Sequence, residues 1–134
     1  MDRKEVMELF NKRPRIGALS TANSKGNVNV AAFGSLRMID ENTVVMATGE
    51  NRSFQYLKEN PKAAFIIMEP PGEKGGEWKG MRVYLEVTDI EQGGRLFDEI
   101  REDVEKRVGK QATNRLQAAV RFKIAAVRPL IDPL

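Results

Sequence analysis

Between Ile16 and Thr48 the chain offers short apolar runs cut by tight turn clusters, with no room between them for a helix. "IGALST" (16–21) is followed by the turn cluster "ANSKG" (22–26), then "NVNVAAF" (27–33) with Val28 and Val30 on one face, then "SLRMI" (35–39). Gly34 interrupts the last two runs and marks a bulge or a close backbone approach. The turn "DEN" (40–42) leads into the β-branched run "TVVMAT" (43–48). Three strands joined by tight turns predict an antiparallel meander.

The rest of the chain extends that pattern. Residues 2–12 read as a helix, with Asp2 as its cap and Glu5 at capping-box spacing. "NKRPR" (11–15) ends that helix. A helix of about two turns is predicted over 52–59, stopped by Asn60-Pro61. "KAAFIIM" (62–68) is a buried strand, and "EPPGEKGGEWKG" (69–80) is a loop. "MRVYLEVTDI" (81–90) alternates, with Met81, Val83, Leu85 and Val87 on one face. Leu96, Phe97, Ile100, Val104 and Val108 recur at helical spacing in 94–108. A strand over 118–130 closes the chain. The sum is one domain spanning 1–134, mainly β, with six antiparallel strands and inserted helices. A small closed or split barrel meets that description.

Composition narrows the chemistry. Cysteine and histidine are both absent, which excludes thiolate nucleophiles, disulfides, Cys/His metal sites and a Ser-His-Asp triad. A poor side-chain kit points to a bound cofactor as the carrier of any hard chemistry. The net charge of +3 is mild. The basic residues Lys12, Arg13 and Arg15 lack interleaved aromatics, so nucleic acid is not expected. No run approaches the length of a membrane span and no signal-peptide core is present, so a cytoplasmic location is expected. The charges of 94–108 read as a solvated face with i,i+4 pairs, and no acid/base constellation identifies a catalytic residue.

The junction "ATGENRSFQYLKENP" (47–61) raises two readings. In one, Asn51 caps the helix and Arg52 is solvated. In the other, the helix N-terminus, Arg52, Ser53 and Thr48 hold a phosphate, with Gly49 allowing close approach. A second feature is the small-residue stretch "NVAAFGS" (29–35), a flat surface on which a planar heteroaromatic ring can lie. Its alternative is close packing of strand against helix. Both readings stay open on the local residues.

The order "IGALSTANSKGNVNVAAFGSLRMIDENTVVMATGENRSFQYLKENPKAAFIIM", with "GMRVYLEVTDI" after it, resembles the flavin-binding split-barrel family that includes pyridoxamine 5'-phosphate oxidase and the small FMN-binding proteins. The likeness spans roughly residues 9–129 and rests on order and spacing. It implies a six-stranded antiparallel split barrel that binds FMN as a homodimer, with the flavin at the interface. It implies phosphate contacts from Arg52 and Ser53, with Thr48 and Asn51 nearby. Asn29, Val30, Ala31, Ala32 and Ser35 would border the flavin ring, and Trp78 and Lys79 would complete the site across the interface. Many relatives carry a second basic residue after the arginine, where this chain has Ser53. Pyridoxamine 5'-phosphate oxidase itself has a longer C-terminal part with basic substrate contacts, so the chain is nearer in size to the minimal FMN-binding proteins. The resemblance implies a flavin-dependent oxidoreductase that takes electrons from a small molecule or a redox protein. An electron carrier or flavin store, a deazaflavin-binding reductase and a dimeric module without ligand are the alternatives.

Overall fold

The computed structural model describes residues 1–132. Pro133 and Leu134, included in the expected domain, lie outside the described residues. The elements in chain order are α1 (Arg3–Asn11), β1 (Ile16–Ala22), β2 (Val28–Ala32), β3 (Arg37–Asp40), β4 (Thr43–Thr48), α2 (Arg52–Glu59), β5 (Lys62–Glu69), β6 (Lys79–Glu91), α3 (Arg95–Val108), α4 (Lys110–Thr113) and β7 (Ala118–Pro129).

All seven strands join one antiparallel sheet in the order β2-β1-β5-β6-β7-β4-β3. The mainly β, antiparallel architecture is the expected one. The expected count of six strands is corrected to seven, and the ladder stays open between β2 and β3. The difference lies at Gly34. There is no bulge in a continuous strand there; the chain leaves the sheet over 33–36 and crosses from one edge to the other. Side chains hold that crossing. Ser35 Oγ donates to the Ala47 carbonyl at 2.7 Å and accepts from the Ala47 N–H at 3.2 Å. Arg13 donates to the carbonyls of Gly34 and Leu36 at 3.1 and 3.0 Å. Arg13 takes carbonyls of the crossing that a ladder would need, and Ser35 ties the crossing to β4 through its side chain.

The core follows from alternation. Leu19, Phe65, Val83 and Phe122 are fully buried on the inner face, where Phe65 lies opposite both Leu19 and Val83. Phe10 of α1 packs on Phe65 with ring centroids 5.6 Å apart. Gly17 is required there, because a Cβ at that position would sit 2.5 Å from the Phe65 ring. A second, smaller cluster joins Val45, Ala47 and Ala119 to Phe97 and Ile100 of α3, so α3 lies over β4 and β7.

The opposite face of β2-β1-β5 is open. Val28 and Val30 are 76% and 68% exposed and Ile16 is 50% exposed. Val30 lies opposite Ser20, which lies opposite Ala64; Ala32 lies opposite Ala18, which lies opposite Ile66. This face is therefore apolar, small-residued and bare. Among the described residues no helix is long and apolar enough to cross a membrane.

Candidate functional site

Asn51 adopts an extended backbone (φ −145°, ψ 176°) and its Oδ1 accepts the Phe54 N–H at 2.9 Å, so the predicted cap of α2 is present. The Gln55 N–H is taken by the Asn51 carbonyl at 3.0 Å. The N–H groups of Arg52 and Ser53 are the remaining donors of the first turn, and no intrahelical carbonyl lies before them. Arg52 is exposed beside them. The Asn51 amide also donates to Thr48 Oγ1 at 3.0 Å, which ties the cap to the end of β4. Replacing Asn51 with Ala should cost about 1 kcal/mol of stability, read by urea denaturation, because the cap and the tie are lost together.

The amide of Asn29 donates to Ser53 Oγ at 3.1 Å and pins β2 to the start of α2. Ser53 and Thr48 are buried, and the Thr48 hydroxyl donates to the Gly49 carbonyl at 3.1 Å. Their hydroxyls thus brace the junction, and Arg52 is the side chain that reaches outward. Gly49 is needed for a close approach, and the approach is internal: a Cβ there would lie 2.5 Å from the Arg115 carbonyl oxygen.

β2 is an edge strand. One side of its backbone pairs with β1, and the other keeps its N–H and C=O groups free for a ligand. Asn29 and Ala31 are half-buried, while Val30 and Ala32 point to the bare outer face. A flat ring set against the edge meets the backbone between these two sets. From that edge a cleft of about 320 Å³ runs past Ala32, Gly34 and Ser35 to Thr48 and Asn51, and its far wall is Arg107 of α3. That volume is in the range of small-molecule sites. A planar heteroaromatic group carrying a phosphate fits this donor set: a guanidinium and two N–H groups at one end, a strand edge and small side chains at the other.

The site residues expected from the sequence fall into two groups. Asn29, Val30, Ala31, Ala32, Ser35, Thr48, Asn51, Arg52 and Ser53 gather around β2, the end of β4 and the start of α2. Trp78 and Lys79 line a different cleft of about 550 Å³ with Leu9, Met81, Val127 and Ile131. Trp78 is 50% exposed there. Within a single chain the structure does not bring these two groups together. The sequence reading missed the wall supplied by Val104, Arg107, Val108 and Leu116. Arg107 pairs with Asp103 at 3.2 Å, the i,i+4 pattern read as a solvated face. Its other amino group reaches the Gly34 carbonyl at 3.1 Å, 73 residues away. No local signal announces such a contact.

Comparison with known proteins agrees with this fold. A family model described as pyridoxamine 5'-phosphate oxidase matches residues 3–130. The crystal structure of an FMN-binding protein from Syntrophomonas wolfei subsp. wolfei is similar with a TM-score of 0.82 and 27% identity, covering 98% of this chain and 90% of that one. An F420 reductase shares the fold with a TM-score of 0.65 and 19% identity, covering 90% and 93%. HutZ, the heme storage protein from Vibrio cholerae, does so with a TM-score of 0.64 and 17% identity, covering 98% and 93%. No curated protein matches the sequence. Because the family-model match spans nearly the whole chain, the chain belongs to the pyridoxamine 5'-phosphate oxidase family.

Proposed function

We propose that the chain is an FMN-binding, cytoplasmic homodimer acting as a flavin-dependent oxidoreductase. Arg52 and the first-turn N–H groups of α2 would hold the phosphate, and the free edge of β2 would hold the ring. The observation that carries this reading is the Asn29–Ser53 hydrogen bond, which fixes a free strand edge and a helix N-terminus beside one cleft. The likeness to an FMN-binding protein at 27% identity supports FMN over other planar groups. When bound, FMN would supply the acceptor for a hydride or electrons. The chain's own part is to hold the phosphate, orient the ring by main-chain hydrogen bonds and keep water off it.

The bare outer face supports the dimer. A contiguous apolar surface of this kind marks an interface, and Trp78 and Lys79, which line a separate cleft of the same chain, would complete the site only from a second copy. Replacing Val30 with Asp introduces a charge twice per dimer and should weaken association by at least about tenfold. Sedimentation velocity over a dilution series reads the change; an unshifted dimer would move the interface elsewhere.

Among the described residues, Arg107 is the one titratable residue lining the cleft. No carboxylate, Tyr or Lys is among the described residues that line it, and electron carriage is the second reading. Steady-state turnover with NAD(P)H and an acceptor separates the two. The visible spectrum of the purified chain, with the mass of any released chromophore, tests the cofactor. FMN is the expected mass; a deazaflavin or a heme would overturn the assignment.

A further inference from the structure

From Lys106 to Gln117 the chain carries Lys106, Arg107, Lys110 and Arg115 and no carboxylate. This stretch covers the last turn of α3, the turn at Gly109, α4 and the connection to β7. Just before it the sign is opposite: Asp98, Glu99, Glu102, Asp103 and Glu105 precede residue 106 on α3. A helix favours acids in its first turn and cations in its last, and that preference accounts for Lys106 and Arg107. It does not account for the other two. Lys110 is the first residue of α4, at the end that disfavours a cation, and Arg115 lies beyond that helix.

Lys106, Lys110 and Arg115 are exposed, and among the described residues their side chains form no ion pair. Glu50, the carboxylate beside Gly49, is taken by Lys58 at 3.5 Å. The backbone that presents the cations is fixed. Thr113 is buried, and its hydroxyl donates to the Lys110 carbonyl at 2.8 Å. The Leu116 N–H donates to the Thr113 carbonyl at 3.1 Å, and the Gln117 N–H to the Thr48 carbonyl at 2.9 Å. The Arg115 carbonyl lies where a Cβ on Gly49 would meet it at 2.5 Å. The basic segment therefore stands against the end of β4, at the rim of the cleft whose wall includes Val108 and Leu116. Val108, in the midst of the cations, is 62% exposed.

An apolar spot among unpaired cations suits a charge-steered protein encounter. Nucleic acid would call for aromatic side chains on which bases stack, and the segment has none. A membrane surface would call for a broad apolar face, and Val108 is the exposed large apolar residue of this stretch. Small, weak interfaces of this kind serve electron transfer. We propose that Lys106, Val108, Lys110 and Arg115 form a docking surface for a small acidic redox protein. The proposal rests on the FMN reading of the cleft and adds the partner, which would be held at the rim of the flavin's own cleft. Two encounters with a one-electron carrier, each leaving one carrier molecule oxidised, and two protons from solvent reduce one flavin.

The test is binding of an oxidised plant-type ferredoxin, an acidic one-electron carrier, to the full chain loaded with FMN, followed by the anisotropy of a dye on the carrier. Association should be saturable and should weaken by about tenfold or more between about 20 mM and about 200 mM salt. Lys110→Glu and Arg115→Glu should each weaken it by about fivefold or more, while FMN affinity stays within about twofold of the parent. Lys25→Glu changes the net charge equally, from an exposed turn tied to the far end of α2 through Ser24 and Glu59. It should leave carrier binding within about twofold. No saturable binding at low salt, or an equal loss in Lys25→Glu, overturns the proposal. So does a single-stranded oligonucleotide or a phosphatidylserine vesicle that binds the parent more tightly than the carrier does and is lost in the same two variants. Flavin uptake is measured separately. A chain that takes up FMN and binds no carrier loses this surface and keeps the cofactor. A chain that takes up no FMN, yet binds the carrier through Lys110 and Arg115, keeps this surface and loses the cofactor assignment.

Discussion

Phe65→Ala should lower the unfolding free energy by about 3–5 kcal/mol, the range for removing a fully buried aromatic ring. Phe65 is fully buried at the centre of β5, with Leu19 and Val83 beside it in the sheet. Phe10 of α1 rests on it, and the Arg15 guanidinium lies over it. Truncation opens a cavity where α1 meets the sheet and exposes Arg15 to a void in place of a ring face. The effect is therefore a cavity cost with a lost cation–π contact on top. Urea denaturation measures it. A companion result checks the geometry: Gly17→Ala should be destabilising in the parent, where its methyl meets the ring, and better tolerated in Phe65→Ala. Additive effects would contradict that contact.

Arg52→Ala should weaken FMN binding by about 1.5–3 kcal/mol, as for loss of a hydrogen bond to a charged group, or roughly 10- to 150-fold in Kd. The magnitude follows from the division of labour at the junction. Ser53 and Thr48 are buried and committed to Asn29, Asn51 and Gly49. Their hydroxyls hold the frame, which leaves the exposed Arg52 as the charged side chain on which the proposed phosphate contact rests. Arg52→Lys should recover part of the affinity, because it restores charge without the fork. Fluorescence titration with FMN reads both variants. Equal affinity for parent and Arg52→Ala would remove Arg52 from the phosphate site.

Of the two readings of the α2 junction, the structure shows the cap, and the phosphate site belongs to the proposed function. Asn51 accepts the Phe54 and Gln55 N–H groups, which leaves those of Arg52 and Ser53 without an intrahelical acceptor. Local features of this kind were legible in sequence because they depend on neighbours a few residues apart. So were Asp2, which accepts the Glu5 N–H at 2.8 Å, and the burial of Val120, Phe122 and Ile124 in β7. The break at Gly34 was not, because its cause is remote. Arg13, Ser35 and Arg107 claim the backbone or the space that a continuous strand would need. The cleft wall on α3 was hidden for a related reason. A helix with Asp103 and Arg107 one turn apart looks like any solvated face until a fold puts Gly34 beneath it. Trp78 was legible as an unusual loop residue. Its place in a separate cleft reflects how β6 begins beside α1 and the end of β7, a long-range arrangement that spacing does not encode.

The most direct test of the central claim is the native mass spectrum of the purified full chain after incubation with FMN. The account predicts two chains carrying two FMN, with the flavin lost first from Arg52→Ala. A spectrum of flavin-free chain under the same conditions would contradict it.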